Sequence, residues 1–553
     1  MTGIAIRKYT IFIFCCLSLS TEIVAQSFFT IRNADSVFMV KNPVTQDHDQ
    51  VFVGNVFLEE KAKEIKFFCD SAYKHSDTQI IEAYGKVQVN RGDTIDLQGE
   101  YMSFDLNTNF LKVRKNAKLE HAKATLLTDS LDYNLDTEIG AYNYGGKLID
   151  STSVLSSRVG TYYASNGDVL FKQNVVITGE DYKIITDSLR YNVNSNEAFI
   201  ISPTDFVSED YQMYTERGVY NTNTGISNFT KATKLINESY VLTGDNLNYD
   251  EKTGIGILTK NCELVDTVNN MVLKSDYMKS VRQDSSVLAV DSIELQYIME
   301  KDTLFAHSDT IFVHKDTLHR QIMEVYRKVK FFKPDFQGKC DSLSFTEADS
   351  TMRMYYDPTI WSGTNQLTAD TITAEFVNEK LKHVNLLQNA FTIASEDSTQ
   401  NFYNQMKGRE MKAFIDNDTL HTIEVYGNGE SLYFVKDDGK LTGVNHIRSS
   451  DITIRLNDQK LSTIIFRTKP TGTMHPVSNF DKIALLLNGF RWDEANRPRR
   501  REDIFEWNLA PPVEEPAQKR GVITEDNPEE EKNDEDLKNA KQRKPLENGG
   551  EFR

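Results

Sequence analysis

The stretch Thr128–Asn134, TDSLDYN, alternates polar and apolar side chains, so that Leu131 and Tyr133 share one face of an extended chain. The pattern returns as TDSLRYN at Thr186–Asn192 and as GDNLNYD at Gly244–Asp250, which puts Leu189, Tyr191, Leu247 and Tyr249 in equivalent places. Following the aromatic position alone halves the interval: Phe104, Tyr133, Tyr162, Tyr191, Tyr220 and Tyr249 lie 29 residues apart without a slip. Behind each comes a cluster rich in Asn, Asp, Thr or Gly, such as NTN at 107 and TNTG at 222, which predicts a turn. A second apolar series, Leu119, Leu148, Ile177, Phe206, Leu235 and Leu264, keeps the same 29-residue step. Each unit therefore predicts two or three short strands that point apolar side chains one way. One such unit cannot bury its own apolar face, so the units must stack. The fold expected is all-β, an elongated jellyroll or solenoid-like stack of short antiparallel strands.

The register breaks near Lys274 and resumes with CDSLSF at Cys340–Phe345 and ADTITAEF at Ala369–Phe376, where Asp341 and Asp370 are again 29 apart. Later strands such as REMKAF and SDITIRL come at wider spacing, with the polar run ASEDSTQNFYNQ read as an intervening loop. The organisation expected is a module over 27–275, a bridging segment over 276–300, a second module over 301–490, and a charged, largely disordered tail over 491–553. The tail expectation rests on NRPRRRED and EDNPEEEKNDEDLKNAKQRKP, which offer little apolar surface to bury.

Length, charge and cysteine usage narrow the setting. A chain of 553 residues exceeds the usual single-core limit and suits an array. A formal charge of −18 argues against nucleic acid, since no basic surface stands ready to displace counterions from phosphate. Arg7 and Lys8 followed by IFIFCCLSL and VAQS read as a signal peptide over 1–26, which places the mature protein outside the cytoplasm. Cys69, Cys262 and Cys340, the cysteines that would remain, have neither disulfide-framework nor zinc spacing.

No catalytic constellation is visible. The histidines are scattered, and no nucleophile elbow or phosphate-cradling loop stands out. The repeated Asp129, Asp187 and Asp245 are too sparse for calcium, which wants six or more oxygens at one place, and read better as turn caps or rim residues. No enzyme activity, metal or cofactor is expected. What remains is the apolar face, which the pattern alone allows to be either a dry core or an elongated groove for hydrocarbon.

The segments FVGNVFL, FFCDSAYKH, IEAYGKVQVNRGDTIDLQGEYMSFD, LLTDSLDYN and LTGDNLNYDEKTGIG together resemble the OstA-like (organic solvent tolerance) family, which includes the periplasmic lipopolysaccharide transport bridge protein. The resemblance implies a β-jellyroll, V-shaped in section, whose apolar interior carries lipid A acyl chains and which stacks end to end. Carried onto this chain, the groove would be lined by Leu119, Leu131, Tyr133, Ile177, Leu189, Tyr191, Leu247, Tyr249 and Leu264. The function expected is binding and conveying lipopolysaccharide towards the outer membrane from a periplasmic site. The partners would be the lipid, other transport components of the envelope, or further copies of this chain. The alternative is an envelope scaffold with a dry core that binds proteins at its ends.

Overall fold

The two apolar series lie on opposite walls of one folded-over sheet. The computed structural model describes residues 29–507, except positions 44, 93–94, 122, 151–152, 210, 379, 398–401, 417–418, 458–459 and 483–484, together with Val513–Glu514. The segment over 1–26 read as a signal peptide, and the tail beyond 507 apart from that dipeptide, lie outside the described residues. A single 40-stranded antiparallel sheet holds the chain from Thr30 to Pro476, and among the described residues the helices are short 3-10 turns only.

Why the sheet folds over is written at its corners. Arg114 pairs with Ser130 and Ala117 with Thr128, so Lys115 and Asn116 stand opposite Asp129 alone. Lys115 and Asn116 both take left-handed backbone, with φ of 63° and 52°. Such a bulge adds a residue to one strand, bends it and turns the next residues in a new direction. The same pair of left-handed residues recurs at Gly54–Asn55, Gln173–Asn174, Lys260–Asn261 and Gln388–Asn389. Asparagine accepts this backbone more readily than most residues, and here its amide also reaches an acid across the corner. Asn116 donates to Glu100 at 2.7 Å, Asn261 to Asp245 at 2.9 Å and Asn389 to Asp370 at 3.0 Å. The repeated acids of the sequence are therefore corner residues. Such a left-handed pair faces an acid at Lys115–Asn116 with Asp129 and, two 29-residue units later, at Gln173–Asn174 with Asp187.

One wall, called here the tyrosine wall, carries Leu131, Tyr133, Leu189, Tyr191, Leu247 and Tyr249. The other, the leucine wall, carries Leu119, Ile177 and Leu264. Where a leucine is replaced by glycine, a neighbour fills the space: a Cβ on Gly160 would sit 2.3 Å from the Tyr142 ring. The core is one continuous cluster that runs from Phe52 to Ile454.

Several sequence expectations need correction. Residues 276–300, read as a bridge, supply the second half of Met271–Val281 and the strands Ser286–Val290 and Glu294–Ile298, paired on both sides. The wider spacing near 400 comes from longer strands, Lys380–Asp397 (18 residues) and Thr419–Asp437 (19 residues), rather than from a long loop. Residues 491–507, grouped by composition with the tail, are packed.

They form the end of a strap, described over 477–482 and 485–507, that runs back along the outer face of the leucine wall. Phe391, Ile393, Leu432, Phe434 and Val444 point outwards there and pack with Leu487, Phe490 and Trp492 of the strap, making a second apolar cluster. Buried glutamines on the wall read the strap's backbone. Gln366 donates to the Arg491 carbonyl at 2.6 Å and accepts from the Asp493 N–H at 2.8 Å. Gln405 does the same with Leu485 and Leu487, both at 2.8 Å. Arg497 donates to Gln337, Arg500 pairs with Asp503, and Arg501 with Glu294. Composition missed this because the strap's apolar residues are few and the arginines find partners within the chain.

Beside the strap, Glu430 lies against Lys407 at 2.9 Å, and His446 and Arg448 at 2.7 Å each. Burial pushes its carboxyl up, but hydrogen bonds from Lys407, Arg448 and His446 outweigh that and hold it at about 2, below the ordinary 4.5. A carboxyl depressed in the folded state stabilises above the unfolded value, and that contribution is lost as pH falls from about 4.5 towards 2. Thermal melts of Glu430→Gln across this window should lack the acid-side step that the native chain shows. Identical profiles would rule the cluster out as a contributor.

Candidate functional site

The interior between the walls is the candidate site. Over the first half it is shut. Lys63 donates to Asn109 at 3.0 Å, Arg91 pairs with Glu138 at 3.3 Å, and His121 meets the Tyr162 hydroxyl at 2.5 Å. The Tyr191 hydroxyl donates to Asp150, again from one wall to the rim of the other. Each contact joins the leucine rim to the tyrosine wall or its rim 41 to 47 residues later. The mouth is zipped by polar groups, with the apolar residues behind them.

The positions expected to line a groove accordingly fall into two sets. Leu119, Leu131, Tyr133, Ile177, Leu189, Tyr191 and Leu247 are buried, with Tyr133 and Tyr191 at 0% exposure. Tyr249 and Leu264 are half-buried members of the same cluster. Burial raises the Tyr133 and Tyr191 phenols well above their ordinary range and holds the Tyr142 hydroxyl at about 12. It also raises the thiols, Cys69 to about 12 and Cys262 to about 11. These groups stay neutral, so the closed section is an uncharged, low-dielectric interior.

The zip ends in aromatic rings. Tyr182 on the leucine wall meets Tyr220 on the tyrosine wall edge to face, with centroids 5.4 Å apart. Phe206 packs on Tyr220 at 5.6 Å and on Phe229 at 5.2 Å. A water-sized cavity of about 10 Å³ lies here, lined by Tyr182, Phe206, Met213, Tyr220 and Tyr249 among others. Beyond this point the burial is mixed: Leu258, Leu273, Met278, Ile311 and Val325 stay buried, whereas Leu264, Leu295, Leu304, Val313 and Met323 are half-buried and pack on the core without being enclosed by it. Sequence reasoning missed Tyr182 and Phe206 as a block. Phe206 stood in the 29-residue series, but nothing in the spacing says which rings meet across the fold.

An apolar cleft between two walls can hold hydrocarbon, each buried methylene contributing about 0.8 kcal/mol. Among the described residues no group of three or more His, Cys, Asp or Glu is placed to hold a metal ion. No helix among them is long and apolar enough to cross a membrane.

No curated protein matches the chain. A family match stops at 286, although the corner geometry continues to Gln388–Asn389 and Gly427–Asn428. Residues 29–187 and 189–286, just under half of the chain, match the family model described as OstA-like protein, a family associated with lipopolysaccharide transport.

Proposed function

We propose that this protein binds lipopolysaccharide by its acyl chains and conveys it through the periplasm towards the outer membrane. The observation that supports the reading is the unbroken apolar interior, one cluster from Phe52 to Ile454 held between two walls. In this reading Tyr249 and Leu264 meet an acyl chain directly. Leu119, Leu131, Tyr133, Ile177, Leu189, Tyr191 and Leu247 line the continuation of the path, which requires the rims to part. Export would follow from the segment Arg7–Gln26.

The sheet ends offer the surfaces for partners. Among the described residues, strands Thr30–Asn33 and Ser36–Lys41 pair only with His48–Glu60, and Val37, Phe38, Met39 and Val40 are exposed. At the other end, again among the described residues, Lys460–Arg467 and Thr471–Pro476 pair only with Lys440–Asn457. Open edges of this kind accept a further strand, from another copy or from another envelope component.

The closed first half supports a second reading, an envelope scaffold with a dry core. Lipids extracted from protein purified without detergent and identified by mass spectrometry separate the two. Lipid A species in near-stoichiometric amount are expected. Protein free of bound lipid would leave the scaffold.

A further inference from the structure

The turns of the two rims keep a constant offset along the first half, and the same offset carries into the second. Counted by that offset, the leucine-rim turn between Ile255–Asp266 and Met271–Val281 corresponds to the tyrosine-rim turn between Thr310–Lys315 and Gln321–Lys333. In the first half facing turns meet through Lys63 and Asn109 or Arg91 and Glu138. Here the corresponding tips are Val268 and Leu318, exposed by 66% and 67%. Ile298 and Met299, at the next leucine-rim turn, are exposed as well. Apolar tips thus stand in place of polar latches, with half-buried apolar residues such as Leu264 and Val313 behind them. The inward-facing Tyr297 is 38% exposed, against 6% for Tyr220 and 0% for Tyr191.

We infer that this stretch is a lateral port through which an acyl chain enters the interior, with Val268 and Leu318 at its lips and the Tyr182–Tyr220–Phe206 cluster as its inner stop. The inference rests on the lipid-binding reading above. Leu264, Leu295, Leu304, Val313 and Met323 form its apolar floor, continuous with the closed core. A slit that leads into a tightly packed interior admits a thin flexible chain and excludes a folded partner. Its length also fits. From Ile226–Lys231 to Gln321–Lys333 the tyrosine wall advances about six strands, or roughly 29 Å at ~4.8 Å per strand. A bilayer's hydrocarbon core of ~30 Å is two chains thick, so one extended chain needs ~15 Å. The port takes a whole chain before the aromatic rings have to move.

The test uses the full-length protein with a photo-crosslinking residue at Tyr297 or at Tyr191, mixed with purified lipopolysaccharide and irradiated at successive times. Lipid adducts are expected first at Tyr297, and later or not at all at Tyr191. Val268→Asp with Leu318→Asp, both on exposed turns where folding is unaffected, should cut the Tyr297 adduct about five-fold by removing apolar contact. Circular dichroism checks that the fold is kept. Adducts at Tyr191 as early as at Tyr297, an unchanged yield in the double variant, or capture of a second copy at Tyr297 would each overturn the port. Adducts at neither position would overturn lipid binding itself.

Discussion

Leu189→Arg is expected to unfold the middle of the first half rather than merely to spoil a ligand contact. Leu189 is fully enclosed, paired with Phe171 on one side and Ile200 on the other. An arginine there has no carboxylate within the wall and no route to water past the zipped rims. An unpaired buried charge costs several kcal/mol, a large share of what a domain of this size has in total. A fall in melting temperature of roughly 10 °C is expected, with hydrogen-exchange protection lost first in Asp168–Thr178 and Tyr182–Asn192. Tyr297→Arg, at a half-open position, should melt close to the native chain, because a long cation can reach solvent there. Equal melting of Leu189→Arg and the native protein would mean that the walls stand apart in solution and that the first half is already an open groove.

Ending the chain at Pro476 should have an effect of comparable size at the other end. It would bare Phe391, Ile393, Leu432, Phe434 and Val444, now covered by the strap. At about 1.5–3 kcal/mol for each fully buried apolar side chain, the lost burial is on the order of 10 kcal/mol. Gln366 and Gln405 would lose their backbone partners as well. In a stack where each strand touches only its neighbours, the damage stays local. Exchange protection is therefore expected to collapse over Lys380–Asp397, Phe402–Asp416 and Thr419–Asp437, and to persist over Ile65–Lys74 and Ala124–Asn134. Full protection throughout would show that the strap is an ornament.

The fold was legible because the two apolar series share one period. Tyr133 and Leu119 announce their strands through alternation with polar residues, and that alternation survives folding wherever one face is buried. Their placement on opposite walls was not legible, since it depends on the left-handed pair at Lys115–Asn116, which reads in the sequence as an ordinary polar step. The positions expected to line a groove face inwards, but their enclosure depends on latches such as Arg91–Glu138, whose partners are 47 residues apart. The strap was the least visible element. It is held by glutamines whose burial depends on tertiary contact, and its arginines imitate a solvated charge run.

The latches and the strap set different schedules for a chain made from its N-terminus. The leucine rim in the first half finds its partner as soon as the tyrosine wall or its rim 41 to 47 residues later is made. Closure there can keep pace with synthesis, one unit at a time. The outward apolar face from Phe391 to Val444 has no such early partner, because its cover begins only at Val477 and ends at Trp507. Until then a row of large apolar side chains stands in water on a growing sheet, the condition under which nascent chains associate. The strap, made after every strand of the large sheet, is the segment that ends this aggregation-prone stage.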